Sequence, residues 1–170
     1  MLLTFGLILL SICAYAQEAS FLGVPMNGSA INFVKQLCEK YDGRGITIDD
    51  SRENLTSIGF YDDDNFYIVH EKYGIISSVV MMPLVSHSTF DSAYQAYLDL
   101  KKFTEDIKGM EFVYAKEVLS EEFCQCCYKF NGTFRKYFIL KNDEGYNYFI
   151  NIESIANLEK INEIELKLAN

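Results

Sequence analysis

Two histidines are the residues of this sequence that could act as a general base near neutral pH. His70 lies in the β-prone run 66–70, and His87 lies between two serines. A hydrolase needs a nucleophile, a base and a group that orients the base. We interpret His70 as a residue of a strand surface or edge, and His87 as part of a helix cap. The sequence therefore predicts no catalytic residues.

The cysteines are the second set of residues with reactive side chains. Cys124, Cys126 and Cys127 form one dense cluster, and Cys38 stands far from them in sequence. On a strand, Cys124 and Cys126 share one face and Cys127 points to the other. A disulfide from Cys38 to Cys126 or Cys127 is geometrically allowed, and burial as free thiols is the alternative. Zinc would need two separated ligand pairs, so we predict no metal ligands.

An acidic run at residues 62–65, with the sequence Asp-Asp-Asp-Asn, could offer carboxylate oxygens to calcium. A calcium loop of the EF-hand type spans about 12 residues and closes with a glutamate, and this run has neither property. We interpret it as a solvated hairpin turn. The sequence also predicts no cofactor-binding residues.

Aromatic side chains make up 15% of the chain, with thirteen Phe, twelve Tyr and no Trp. Such residues favour strands, where alternation sends half of the side chains to the core. The other half could form an exposed face for a protein or a glycan. The strand-borne candidates are Tyr61, Phe66, Tyr67, Tyr137, Phe138, Tyr146, Tyr148 and Phe149.

The formal charge of −9 argues against a nucleic-acid partner. Phosphate binding requires a face rich in Lys and Arg, from which counterions are displaced. A net negative charge suits a basic partner, and it also keeps a protein soluble without any partner.

Residues 1–16 have the pattern of an export signal. Residues 1–12 are uncharged and mostly apolar, and Ala14-Tyr15-Ala16 matches an A-x-A cleavage site. We predict cleavage after Ala16, with a mature chain that has no transmembrane span and is periplasmic or secreted. The alternative is a lipoprotein anchored through Cys13.

Hydrophobic periodicity predicts three helices. The first begins at Ala30 after an N-cap Ser29 and stops at Gly43. The second opens at Ser88, with Asp91 in the manner of a capping box, and continues toward Gly109. A third occupies the C-terminal segment. Strands are predicted at residues 46–48, 55–61, 66–70, 75–84, 111–118, 123–130, 134–140 and 146–152.

These elements predict one α+β domain over residues 17–170. A helix followed by an antiparallel meander occurs twice, in half-repeats at about 28–84 and 88–153. Asn131-Gly132 marks a tight hairpin in the second meander. We expect a tandem repeat that forms one sheet, with the helices packed on one face.

The segment at residues 22–29, Leu-Gly-Val-Pro-Met-Asn-Gly-Ser, resembles a group of small exported Bacteroidetes proteins without an assigned function. The order of helix and meander is similar to the architecture of the β-lactamase-inhibitor-protein fold. This resemblance implies two helix-plus-meander units in one sheet, and it implies no activity, because fold does not determine function.

We therefore expect an exported, non-enzymatic binding or interaction protein whose partner is a protein or glycan of the envelope. The alternative is an envelope enzyme or enzyme inhibitor. An acidic pocket that contains a histidine would favour the alternative.

Overall fold

The computed structural model describes residues 18–169. The predicted signal peptide at residues 1–16, its cleavage site and the alternative lipid anchor at Cys13 lie outside the described residues. Within residues 18–169, no helix has the length and apolar character needed to cross a membrane.

Residues 18–169 fold into ten strands and three α-helices. A short N-terminal hairpin is formed by β1 (Ser20–Phe21) and β2 (Val24–Pro25). The next elements are α1 (Ala30–Tyr41), β3 (Arg44–Arg52), β4 (Leu55–Tyr61), β5 (Asn65–Lys72) and β6 (Ile75–Pro83). They are followed by α2 (Phe90–Glu105), β7 (Glu111–Val118), a 3-10 turn (Leu119–Glu121), β8 (Phe123–Phe130), β9 (Thr133–Asn142), β10 (Gly145–Ser154) and α3 (Ile155–Leu168).

Eight of the strands form one antiparallel sheet in the order β3-β4-β5-β6-β10-β9-β8-β7. The α+β class predicted from the sequence is confirmed. Each half supplies a helix followed by a four-stranded meander, and the halves join where β6 pairs with β10, with Val80 opposite Asn151. Descent of the two halves from one duplicated unit stays a prediction.

Two hairpins are closed by two-residue turns in which both residues have positive φ. Asn131 and Gly132 have φ of 47° and 70°, and Tyr73 and Gly74 have φ of 54° and 74°. This is the signature of a type I′ turn, whose twist matches that of the flanking strands. The hairpin predicted at Asn131-Gly132 is confirmed.

The core lies on one face of the sheet, named here the helix face because α1 and α2 pack against it. The first cluster contains Phe33 and Leu37 of α1, and the second contains Ala93 and Tyr97 of α2. Ile150 of β10 packs against both clusters, so both lie on the same side. We name the other side the opposite face.

The start of α1 was predicted correctly, but its cap comes from elsewhere in the fold. The hydroxyl of Ser29 makes no capping hydrogen bond. Instead, the Ala30 amide donates to Glu71 Oε2 of β5 at 2.7 Å. A carboxylate at this position also interacts favourably with the helix dipole. At the other end, α1 ends at Tyr41, and the left-handed residue that follows it is Asp42, with φ of 52°, and not the predicted Gly43.

Boundaries of α2 and of β3 were also predicted wrongly. Helix α2 begins at Phe90, because Thr89 is the N-cap and its hydroxyl accepts from the Ser92 amide, and the helix ends at Glu105. The strand predicted at residues 46–48 is longer in the structure, where β3 continues to Arg52. A bulge between Asp49 and Arg52 accommodates polar residues that are typical of a turn.

Candidate functional site

A serine and a histidine meet on the opposite face of the sheet. Strands β4 and β5 pair Ser57 with His70, and Ser57 Oγ lies 2.9 Å from His70 Nδ1. A nucleophile and a base within hydrogen-bond reach are two of the three groups that acyl transfer requires. Sequence reasoning missed Ser57, because only the strand register shows which side chain faces His70.

The surroundings of His70 do not complete a catalytic triad. Burial, and then the charge of Arg52, lower the pKa of His70. Both effects oppose the imidazolium that a general base becomes during catalysis. Among residues 18–169 no carboxylate hydrogen-bonds to His70, and Asp49 Oδ1 accepts instead from the Ser51 amide at 3.0 Å.

The groove around this pair is small and its charge is balanced. It has a volume of about 260 Å³. One acidic and one basic side chain contribute to its walls, so it is not the acidic pocket that would favour an enzyme. Its lining residues are Asp49, Arg52, Leu55, Ser57, Ile68 and His70.

The lowered pKa of His70 predicts an acid-dependent loss of stability. The folded-state pKa lies below the unfolded value of about 6.5, so the stabilisation is present above that pH and is lost as the pH falls. Between about pH 7.5 and pH 5.5, we expect the unfolding free energy of the unsubstituted protein to fall further than that of His70→Gln. Each unit by which folding lowers the pKa of His70 corresponds to about 1.4 kcal/mol. Urea unfolding followed by circular dichroism measures this difference.

The variant His87→Gln is the control for that measurement. It removes the other histidine and leaves His70 with its neighbours, so it should keep the acid-dependent loss. An equal loss in the protein and in His70→Gln would contradict the assignment to His70.

His87 lies at the entry to α2, where its Nδ1 is 2.8 Å from Ser92 Oγ. Its backbone forms two hydrogen bonds with Tyr146 of β10, each of 2.8 Å. The residue therefore connects the first turn of α2 to the sheet. No nucleophile besides Ser92 contacts its ring within the described part of the chain.

The four described cysteines are free thiols. Cys124 and Cys126 belong to the second cluster, Cys127 points to the opposite face, and Cys38 packs against the first cluster. The structure therefore does not bring Cys38 to Cys126 or Cys127. Burial raises the pKa of Cys124 to about 11 and also raises the pKa of Cys126 and Cys127. Such thiols are poor nucleophiles at neutral pH.

The acidic turn is held together by its own first carboxylate. Asp62 Oδ1 accepts from the amides of Asp64 and Asn65 at 2.8 and 2.7 Å, and Asp62 Oδ2 accepts from Tyr67 Oη at 2.6 Å. Burial by itself would raise the pKa of Asp62, but these hydrogen bonds outweigh it and lower the pKa. Both oxygens of the Asp62 carboxylate therefore accept hydrogen bonds from the turn and from the strand that follows it.

The strand-borne aromatic residues do not form an exposed face. Of the eight candidates only Tyr61 is exposed, and the others are buried or half-buried. The other exposed aromatic residues of the described chain are Phe103 on α2 and Phe112 and Tyr114 on β7. The candidates lie on inner strands of the sheet, whereas Phe112 and Tyr114 lie on an edge strand. The order of the strands is not visible in the spacing of the residues.

Strands β3 and β7 are the two edges of the sheet. On β7, the consecutive residues Phe112, Val113 and Tyr114 are 57%, 46% and 39% exposed. An edge strand presents unpaired amide and carbonyl groups, so exposed apolar side chains beside them favour pairing with another chain.

No known protein family, curated protein or solved structure matches this chain.

Proposed function

We propose that this chain is an exported, non-enzymatic binding protein of the cell envelope or extracellular space, and that it binds an extended segment of a partner protein along β7. Export is supported by the signal-like pattern of residues 1–16. The binding role is supported by one observation, the exposed apolar run on β7, a strand whose outer edge has no neighbouring strand among the described residues.

The two edges of the sheet differ in how well they could accept another strand. Strand β3 has two register shifts and pairs regularly only from Thr47 to Asp49. Strand β7 has one shift, and its pairing is regular from Tyr114 to Val118. Bulges are a common device that hinders strand addition. Because β7 has a single shift, between Phe112 and Tyr114, and regular pairing over the next five residues, it is the less protected edge.

Charge indicates what kind of segment would bind. Residues 111–122 include four glutamates and one lysine, in a chain with a net charge of −9. The register shift places Phe112 opposite Tyr128 and Tyr114 opposite Cys127, so their side chains lie on different faces of the sheet. An added segment with consecutive apolar residues beside this run, and Lys or Arg beyond it, would place its charges near these glutamates. Main-chain hydrogen bonds would supply the affinity, as in other complexes formed by strand addition.

The variant Val113→Lys tests this proposal, because a lysine in the middle of the apolar run would be desolvated and would repel a basic segment. We expect it to reduce capture of the partner from the envelope or culture medium by about tenfold or more. The matched control is Ile48→Lys, which introduces the same charge at an exposed position of β3. Quantitative mass spectrometry measures capture, and hydrogen exchange of β7 amides locates the partner.

Equal capture by the protein and by Val113→Lys would contradict the proposal, as would protection of amides away from β7. A dimer in light scattering that Val113→Lys dissociates would mean that a second copy occupies this edge.

The alternative, an envelope enzyme or enzyme inhibitor, has the contact between Ser57 and His70 in its favour. Burial of His70, and then the charge of Arg52 beside it, disfavour the imidazolium, and this argues against general-base catalysis.

A further inference from the structure

A groove opens on the helix face, between the N-terminal hairpin and the second half of the sheet. It has a volume of about 430 Å³, which lies within the range of sites for small molecules, roughly 300–1,000 Å³. Met81 of β6 and Ile150 and Ile152 of β10 contribute apolar side chains. The lining is completed by Ser20, Phe21, Leu22, Gly23, Phe130, Asn131, Arg135 and Tyr137.

Arg135 is the one charged residue in this lining. It pairs with Tyr128 and Ile152, which belong to the two core clusters, so its side chain is on the helix face. Its guanidinium carbon lies 4.8 Å from the centre of the Phe130 ring. This contact orients the planar group without using its hydrogen-bond donors.

One donor of the guanidinium is left unused by the described residues. Nε of Arg135 is buried and has no hydrogen-bond partner within residues 18–169. No carboxylate of that part of the chain forms an ion pair with Arg135. A buried hydrogen-bond donor of a cationic group is costly when it has no partner. In a chain with 24 acidic and 15 basic residues, the lack of an acid beside this arginine points to an anion from outside.

The wall formed by the hairpin is held firmly in place. Leu22 has φ of 50°, an unfavourable conformation for a bulky residue. Its carbonyl accepts from Lys40 Nζ and Tyr41 Oη of α1, both at 2.9 Å. Phe21 packs edge-on against Tyr67, with 6.0 Å between the ring centres. Unfavourable backbone conformations that are held in place by such contacts are common at ligand-binding sites.

We propose that this groove binds a small monocarboxylate with an apolar body, whose carboxylate pairs with Arg135. One guanidinium matches one carboxylate in a bidentate pair. The lining holds no second cation for a dianion such as a phosphate monoester, and its other side chains are mostly apolar. A larger groove beside α3, of about 620 Å³, is lined by Glu18, Glu159, Lys129 and Lys160 and has no excess of positive charge.

The probe is decanoate, which combines one carboxylate with an apolar chain. Binding is followed by calorimetry and by the Nε–H NMR signal of Arg135, which can be assigned by substitution because the chain has three arginines. We expect decanoate to shift this signal, and we expect Arg135→Gln to weaken binding by about tenfold or more. Decanol, which lacks the charge, should bind about tenfold more weakly than decanoate.

The matched control is Arg52→Gln, which removes an arginine from the opposite face and should leave decanoate binding unchanged. Circular dichroism verifies that each variant is folded. The proposal is overturned if decanoate does not bind, if Arg135→Gln binds it equally well, or if decanol or decyl phosphate binds as tightly as decanoate.

This site is separate from β7, so its test is independent of the proposed function. Arg135→Gln should leave partner capture by the edge unchanged, and Val113→Lys should leave decanoate binding unchanged.

Discussion

Gly145→Ala is expected to lower the free energy of unfolding by about 3 kcal/mol or more, because the added methyl group has no space. Gly145 begins β10 with φ of 140°, a conformation that residues with a side chain rarely adopt. A Cβ built at this position would lie 2.3 Å from the carbonyl oxygen of His87. The obstacle is backbone, so it cannot rotate away as a side chain would.

The clash would also disturb the connection between α2 and the sheet. The same His87 carbonyl accepts from the Tyr146 amide, and the His87 amide donates to Tyr146. Moving this segment to make room would break both hydrogen bonds. We therefore expect the unfolding midpoint in urea, followed by circular dichroism, to fall substantially.

The control for this measurement is Gly74→Ala. Gly74 also has positive φ, of 74°, but a Cβ there would meet no atom within 4 Å. The loss of unfolding free energy in Gly74→Ala should come from the unfavourable backbone conformation alone, and should be about 1 kcal/mol. Equal losses in the two variants would show that contact with His87 does not matter.

Asn157→Asp is the second substitution with a large expected effect, a loss of about 3 kcal/mol in unfolding free energy. Asn157 of α3 is buried, and its Nδ2 donates to the Met26 and Ile76 carbonyls at 2.8 and 2.9 Å. One side chain thus ties α3 to the N-terminal segment and to β6. Aspartate has the same shape but no donor, so it would place a carboxyl oxygen against two carbonyl oxygens.

Asn162→Asp is the matched control on the same helix, since Asn162 is exposed. It should change the unfolding free energy by less than about 0.5 kcal/mol. Both variants change helix propensity and add one negative charge in the same way. The difference between their unfolding free energies in urea therefore measures the buried hydrogen bonds of Asn157. If Asn157→Asp lowers the unfolding free energy no more than Asn162→Asp does, the hydrogen bonds of Asn157 do not stabilise the packing of α3.

The strands were predictable because the signals that define them are local. Alternating side chains specify a strand, and turn residues such as Asn131-Gly132 specify a hairpin within a few positions. The start of α1 at Ala30 follows from helical periodicity in the same way. Helix boundaries such as Thr89 were less accurate, because several neighbouring polar residues can serve as the cap.

The candidate sites were not predictable, because each combines residues that are distant in sequence. Ser57 and His70 meet through the register of two strands, and a shift of one residue would separate them. The groove at Arg135 exists because the N-terminal hairpin stands over the junction of β6 with β10. Neither arrangement has a sequence motif.

The sequence by itself determined the α+β class and the order of helices and strands, because periodicity and turn chemistry act over a few residues. Tertiary structure alone decided which aromatic residues are buried, which edge is exposed, that Glu71 caps α1, and that Arg135 has no acidic partner. These properties depend on register, bulges and the packing of distant segments, so they arise only when the whole sheet is assembled.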